Sequence, residues 1–281
     1  MSVSSSLVAL VCRTPENAAT ACQLSAFSAQ LTKRGLVSIL IHVQSRSELQ
    51  QALQNAAALP VTHLLFLSSV CDDEQSLAAE ILPAVAQLHA DAQTLASDRY
   101  SAGEALALLL LSQGHQRTGF MHAGETPEIA RQLAGVNAVL QTQEKEVQLL
   151  LTAGRERREE AYQSMMAYLK KTRAAERINA LVCSSDELAF GALQAVRDFG
   201  QGAHVAVTGY GNVAEAAMST WHLTRWAPRS DLRVTETLNR LLEQGADNNS
   251  GWQQGELEVR HSHQGKYIPG EMSQCGCAIR H

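Results

Sequence analysis

The sequence predicts an α/β fold built on parallel β-sheet, and three observations carry that prediction. Short aliphatic, often β-branched runs alternate with helix-length segments along most of the 281 residues. Gly and Pro stand at the changes of pattern. The alternation persists until Gly209, after which a shorter, irregular pattern begins. Apolar runs bounded by turn residues and separated by amphipathic helices are the mark of βαβ units.

The elements follow in order. Val8–Cys12 reads as a strand and Asn17–Lys33 as an Ala/Leu-rich helix ending at Gly35. Val37–Val43 is a second strand. Ser47–Ala58 is a helix stopped by Pro60, and His63–Leu67 a third strand. A helix over Asp73–Leu82 precedes a weak strand at Ala84–Leu88. Tyr100–Ser112 is a very apolar helix closed by Gly114. Arg117–His122 is a strand, Pro127–Gln141 a helix, Val147–Leu150 a strand and Arg158–Thr172 a helix. Ala180–Cys183 is a strand, Glu187–Phe199 a helix stopped by Gly200, and His204–Thr208 a strand. Beyond Gly209 a short helix (Val213–Met218) leads to the strand His222–Trp226 and a helix over Asp231–Gln244. Gly245–Gly251 has loop composition, Leu257–His261 alternates like an edge strand, and the tail from Gly270 is irregular.

Composition narrows the functional classes. A chain of this length forms one large or two medium compact units. With 45% hydrophobic and 18% charged residues it can bury a sizeable core. A net charge of -5 speaks against a phosphate-neutralising surface on this chain. No stretch spans a bilayer, and the N-terminal apolar run is short with no basic residue before it, a poor export signal. The six cysteines (Cys12, Cys22, Cys71, Cys183, Cys275, Cys277) are mostly isolated in apolar segments. Reduced, buried thiols and a cytoplasmic location are the expectation.

Four segments resemble the LacI/GalR family of bacterial regulators. DRYSAGEALALLLLSQGHQRTGFM (Asp98–Met121) is similar to that family's Asp-led helix ending in Gly-His before a strand. LVCSSDELAFGALQAVRDFG (Leu181–Gly200) is similar to its strand, Asn-Asp pair and helix, with Asp186, Ala189 and Gly191 in place. HVAVTGYGNVAEAAMSTWHLTRW (His204–Trp226) resembles its Gly-aromatic turn and crossing strand, and LEVRHS (Leu257–Ser262) its closing strand. The resemblance implies a type I periplasmic-binding-protein-like core: two Rossmann-like lobes with parallel sheets joined by crossover strands and an effector in the cleft between them. It places residues 5–118 and 227–250 in an N-terminal lobe, 119–226 and 251–270 in a C-terminal lobe, and 271–281 in a tail. It implies an effector-sensing, dimerising domain of a transcriptional regulator. DNA would be reached only through a helix-turn-helix head, for which this sequence has no matching segment. The alternative is a stand-alone cytoplasmic binding protein without direct DNA contact.

In open parallel sheets, ligands sit at the carboxyl ends of strands. Candidate ligand residues are therefore Arg13, Thr14, Ser68, Ser101, Glu128, Gln132, Ser185, Asp186, Gly211 and Trp226. Several depart from the family's sugar-reading pattern. Gln132 stands where an Arg is expected, Gly211 where an Asp is, and Ser185 where an Asn is. Arg155 and Glu156 occupy a region that often supplies an aromatic. Arginines meanwhile gather at strand ends: Arg13, Arg99, Arg131, Arg155 and Arg229. Guanidinium forks suit carboxylate and phosphate, so the effector is expected to be a sugar, a sugar phosphate or a small carboxylate, with an anion favoured. Solvated loop arginines, or a cleft that binds nothing tightly, are the competing readings. Trp226 either lines the cleft or packs at the crossing.

Other patterns carry less. Gly209–Ala214 fits G-x-G-x-x-A, but the short helix and the absence of an acidic residue ending the next strand favour a turn. Cys275, Cys277, His281, His261 and His263 lack the paired spacing of structural zinc. Asp98 and Asp186 read as helix caps. No nucleophile–base constellation or P-loop is present, so neither catalysis nor a cofactor is expected.

Overall fold

A computed structural model describes residues 7–13, 18–67, 72–89, 98–200, 203–244 and 250–265. The chain divides into two compact units, residues 1–97 with 229–254 and residues 98–228 with 255–281.

The first unit is built on β1 (Leu7–Arg13), β2 (Val37–Val43), β3 (Val61–Phe66) and β4 (Ala86–His89), ordered β2-β1-β3-β4. Every pairing is parallel. Strand alternation sorts β1 onto two cores. Val8, Leu10 and Cys12 pack with Phe27 and Leu31 of α1 (Ala18–Lys33) and with Val234, Leu238 and Leu241 of α8 (Ser230–Leu241). Ala9 and Val11 face the other way, toward Leu49 and Leu53 of α2 (Arg46–Ala56) and Ala78 of α3 (Asp72–Ile81). A late helix thus completes the core of the first strand, so the chain must return to this unit after leaving it.

The second unit holds β5 (Thr118–His122), β6 (Leu149–Thr152), β7 (Ala180–Cys183), β8 (Ala206–Tyr210), β9 (Thr224–Pro228) and β10 (Gly255–Glu258). Their order is β10-β9-β8-β7-β5-β6, parallel except for the antiparallel β10–β9 pair. Alternation again makes two cores. Phe120, Ala180, Val182 and Ala206 meet α4 (Arg99–Ser112) and α5 (Pro127–Gln141). Met121, Leu181, Cys183 and Val207 meet α6 (Arg158–Lys171) and α7 (Asp186–Phe199).

Two helix crossings depend on glycine. A Cβ on Gly103 of α4 would overlap the Gln132 carbonyl oxygen of α5, and one on Gly135 would overlap that of Tyr100. On the opposite face a Cβ on Gly191 of α7 would overlap the Arg158 carbonyl oxygen of α6. These crossings bring backbone against backbone. The α4–α5 contact also explains a difference from the expected division. The resemblance places residues 98–118 in the first lobe, whereas α4 shares the core of Phe120 and Val182 and groups with the second unit.

The predicted helices and strands recur in the predicted order, with strand ends displaced. β6 begins at Leu149 rather than Val147 because its register pairs Gly119 with Leu149 and His122 with Thr152. β8 and β9 each start two residues later than expected, and β10 starts at Gly255 rather than Leu257. The expected helix at Val213–Met218 is a 3-10 turn over Ala214–Ala217. The tail, with Cys275, Cys277 and His281, lies outside the described residues.

His263 closes the unit near β9. Its Nδ1 lies 2.9 Å from Thr224 Oγ1, and its carbonyl accepts from His115 Nε2. Burial holds its imidazole below the ordinary value of 6.5. The folded chain therefore keeps it neutral while the unfolded chain takes up a proton near 6.5. Its contribution to stability is full above that pH and declines as pH falls below it. Urea unfolding across pH 5 to 8 is expected to show this decline, flattened in His263→Asn. Gly191→Ala, which forces α6 and α7 apart, is expected to cost about 1–3 kcal/mol, read as a lower urea midpoint at unchanged slope.

Candidate functional site

The carboxyl ends of β5 to β9 in the second unit gather the polar residues that a site would use. Two constellations lie there, and their roles differ.

The first is a buried ion-pair network centred on Asp186, the first residue of α7. Arg225 Nη1 donates to Asp186 Oδ2 at 2.8 Å and to the Val213 carbonyl at 2.7 Å. Its Nε donates to Glu258 Oε2 at 2.9 Å, and Nη2 reaches Asn212 Oδ1 at 3.4 Å. Arg260 Nη2 donates to the same Glu258 oxygen at 2.8 Å. The Arg225 and Asp186 side chains are 5% and 1% exposed. Burial pushes the Asp186 carboxyl up to about 6, against the downward pull of Arg225 and the Val213 amide. It remains ionised at neutral pH and paired to Arg225.

This network explains the Gly-Tyr-Gly turn. A Cβ on Gly209 would lie 2.7 Å from Asp186 Oδ1, and one on Gly211 would lie 2.7 Å from Oδ2. Gly211 also has φ +150°, a conformation open to glycine. The two glycines seat a carboxylate, and a 3-10 turn follows where a nucleotide-binding helix would have to begin. Asp186 was expected to cap its helix. Ser185 does so instead, accepting from the Leu188 amide at 3.4 Å, while Asp186 turns to Arg225.

The second constellation is centred on Arg99 at the start of α4. Asp98 caps this helix as expected, accepting from the Ser101 amide at 3.0 Å and from its hydroxyl. Arg99 Nη1 donates to Gln132 Oε1 at 3.0 Å and to the Ser184 carbonyl at 2.8 Å. Its guanidinium carbon lies 3.6 Å from the centroid of the Tyr210 ring. Two hydrogen bonds and a stacked ring fix the guanidinium plane. Its Nε and Nη2 donate to no side chain or carbonyl among the described residues. Gln132 is fully buried, and its Nε2 has no acceptor there. Glu156, in the loop after β6, sits within electrostatic reach of Arg99, Ser185 and Glu187. Loss of solvation pushes its carboxyl above the usual range, more than Arg99 and Ser185 lower it, although the residue keeps an exposed surface. His122, at the end of β5, donates from Nδ1 to the Gly124 carbonyl at 3.0 Å, which leaves Nε2 to face Thr152 Oγ1 at 3.4 Å.

The candidate residues thus separate. Gln132 and Ser185 fall in the Arg99 constellation, with Ser185 also a cap. Asp186 and Gly211 fall in the ion-pair network. Ser101 is engaged by Asp98. Glu128 is half-buried in the first turn of α5, and no bond joins it to either group among the described residues. Trp226 packs against the α4–α5 core, with its indole nitrogen against the place of a Gly255 Cβ. Arg13 ends β1 in the first unit, and Thr14 and Ser68 lie outside the described residues. Arg131 and Arg155 are exposed. The sequence gives no local signal for Arg225 and Glu258, because their roles depend on strands that become neighbours only in the sheet. Among the described residues, no group of three or more His, Cys, Asp or Glu could hold a metal ion, and no helix is long and apolar enough to cross a membrane.

Comparison with known proteins agrees with this architecture. The profile of the periplasmic binding protein-like domain family matches residues 107–262. A comparison with the curated proteins finds no match. Among solved structures, an uncharacterized protein from Actinobacillus succinogenes superposes with a TM-score of 0.75 at 18% identity, covering 92% of this chain and 99% of that one. A LacI-family transcriptional regulator, described as putative, from Sanguibacter keddieii gives 0.73 at 20% identity, covering 92% and 98%. A cellobiose complex of the regulator CelR gives 0.71 at 19% identity, covering 91% and 84%.

Arg225→Met leaves Asp186 buried without its cation and is expected to cost about 3–5 kcal/mol at pH 7.5. Because the folded-state carboxyl already titrates above its unfolded value of 3.8, its protonation favours the fold as pH falls through about 6. The cost of the variant should therefore shrink at pH 5, as paired urea melts at the two pH values would show.

Proposed function

Because this chain belongs to the periplasmic binding protein-like domain family, we propose that it is the effector-binding domain of a LacI-type transcriptional regulator. It takes a small metabolite at the strand-end face of its second unit. The fold it shares with a LacI-family regulator, and with the transcriptional regulator CelR in complex with cellobiose, supports the sensor role. The regulator is a cytoplasmic homodimer that meets DNA through a separate head, and no chemistry is performed on the ligand.

The effector is anionic. The observation that carries this is Arg99, held in place through one nitrogen and a stacked ring while two of its donors have no partner among the described residues. A donor fork with no acceptor matches the oxygens of a carboxylate or phosphate. Gln132, standing where sugar-responsive relatives are expected to carry an Arg, serves here to orient Arg99 rather than to grip a hydroxyl pair.

Calorimetric titration with neutral sugars, sugar phosphates and small carboxylates tests the reading. Anions are expected to bind, and Arg99→Met to weaken them by about 10- to 100-fold, as the loss of hydrogen bonds to a charged group implies. Binding confined to neutral sugars would overturn the anionic assignment.

A further inference from the structure

The opposite end of the second sheet gathers cations of its own. Its register aligns Thr118, Ala180 and Ala206 at the first residues of β5, β7 and β8. The residues just before them, Arg117, Asn179 and Val205, therefore meet at the amino ends of the strands. With Arg177, Ile178 and His204 they line a cavity of about 180 Å³. Pockets for drug-sized ligands hold roughly 300–1,000 Å³, so this one suits something smaller.

The polar side chains here are held in place and offer donors. Asn179 Oδ1 accepts from the amides of Gln116 at 3.2 Å and Arg117 at 2.9 Å, and its Nδ2 has no acceptor among the described residues. Arg117 Nε donates to the Arg177 carbonyl at 2.6 Å, while neither of its Nη atoms has an acceptor there. Arg177 closes the end of α6, Nε donating to the Thr172 carbonyl and Nη2 to that of Leu169, each at 3.0 Å. Its guanidinium carbon lies 4.6 Å from the centroid of Phe199, and Nη1 stays open. Carbonyls fix both guanidiniums without neutralising them. Other arginines of this unit meet carboxylates: Arg158 has Glu187 and Glu215, and Arg225 and Arg260 share Glu258. Among the described residues no acid lines this cavity, and neither Arg117 nor Arg177 forms an ion pair. Glu176, in the 3-10 turn before Arg177, is exposed and pairs with neither.

We propose that this cavity binds a small oxyanion of the phosphate class, inorganic phosphate or the phosphoryl group of a small metabolite, independently of the effector at Arg99. Guanidinium and amide donors from Arg117, Arg177 and Asn179 match the several oxygens of a tetrahedral anion, and the exposed His204 adds a ring nitrogen at the rim. A carboxylate has fewer oxygens to offer the same donors. The chain's net charge of -5 gives anions no general attraction, so binding here would come from the local donors. A bound anion would tie the starts of β5 and β7 to the end of α6.

Calorimetric titration of the whole chain with inorganic phosphate tests this, with sodium chloride at matched ionic strength as the control. Arg99→Met removes the other candidate anion site, and phosphate is expected to bind this variant and raise its melting temperature. Adding Arg117→Gln is expected to weaken that binding by about tenfold or more and to abolish the thermal shift. His204→Ala, at an exposed position, is expected to weaken it less without lowering the melting temperature measured in the absence of phosphate. Melts without phosphate check the fold of each variant. Should Arg117→Gln fail to fold, Arg117→Lys, which keeps the charge and removes the fork, is expected to show the same weakening in smaller degree. Absence of phosphate binding in Arg99→Met would overturn the proposal while leaving the Arg99 reading to the wild-type titration. An equal thermal shift with chloride, or binding unchanged by the folded Arg117 variants, would also overturn it.

Discussion

A buried arginine between two carboxylates is costly to keep unless its geometry is complete, and Arg225 meets that condition. Its guanidinium joins Asp186 at the head of α7, Val213 and Asn212 in the turn after β8, and Glu258 on β10. These belong to separate stretches of chain, and their only common point is the sheet. Removing one partner leaves a charge in a region with almost no water, which is why each neighbour is constrained in turn. Two glycines are required beside the Asp186 carboxylate because nothing larger fits. β10 must lie antiparallel against β9 for Glu258 to reach Nε, and the pairing of Glu258 with Arg225 in that ladder places it there. The ion pair thus fixes the last two strands of the second sheet, the strands on either side of the segment that the first unit takes up.

The same constraint gives the strand-end face its character. Asp186 has the residue type and position of a ligand contact, yet it is spent on Arg225. Ser185 is spent on the helix cap, and Ser101 on Asp98. Arg99 retains open donors because α4 packs tightly on α5. The close approach at Gly103 and Gly135 brings Gln132 beneath the guanidinium, and the Ser184 carbonyl at the end of β7 completes its anchorage. A helix crossing on one face of the sheet therefore sets the direction of a side chain at its rim.

Much of the fold was legible because strand and helix periods are local properties of the chain. The Val8–Cys12 run showed a strand, and its alternation onto two cores follows from pleating alone. Boundaries drifted by about two residues at β6, β8, β9 and β10 because register is decided by the neighbouring strand, which periodicity does not see. Helix α4 is legible as a helix, but the unit it joins is not. Its sequence is apolar on nearly every side, so no stripe announces which core it joins. The site was less legible for the same physical reason. Arg99 could be picked out as a strand-end arginine, but its anchor at Ser184 lies 85 residues away. Arg225 sits 39 residues from Asp186, inside a segment that read only as a crossing strand.

The altered positions also bear on whether the face has decayed. A site losing function under no constraint would leave its substituted residues unconnected to one another. Here the departures interlock. Gly211, in place of an acid, is the residue that lets Asp186 be buried beside the turn, and an acid there would press a second carboxylate against the first. Gln132, in place of an arginine, supplies a neutral acceptor to Arg99, where a second guanidinium would repel it. Ser185, in place of an amide, caps α7 with a hydroxyl. Each change has a partner: Gly211 leaves room for Asp186 in the Arg225 network, Gln132 orients Arg99, and Ser185 caps α7. The substituted positions are thus tied into the packing and hydrogen bonding of the strand-end face rather than left unconnected.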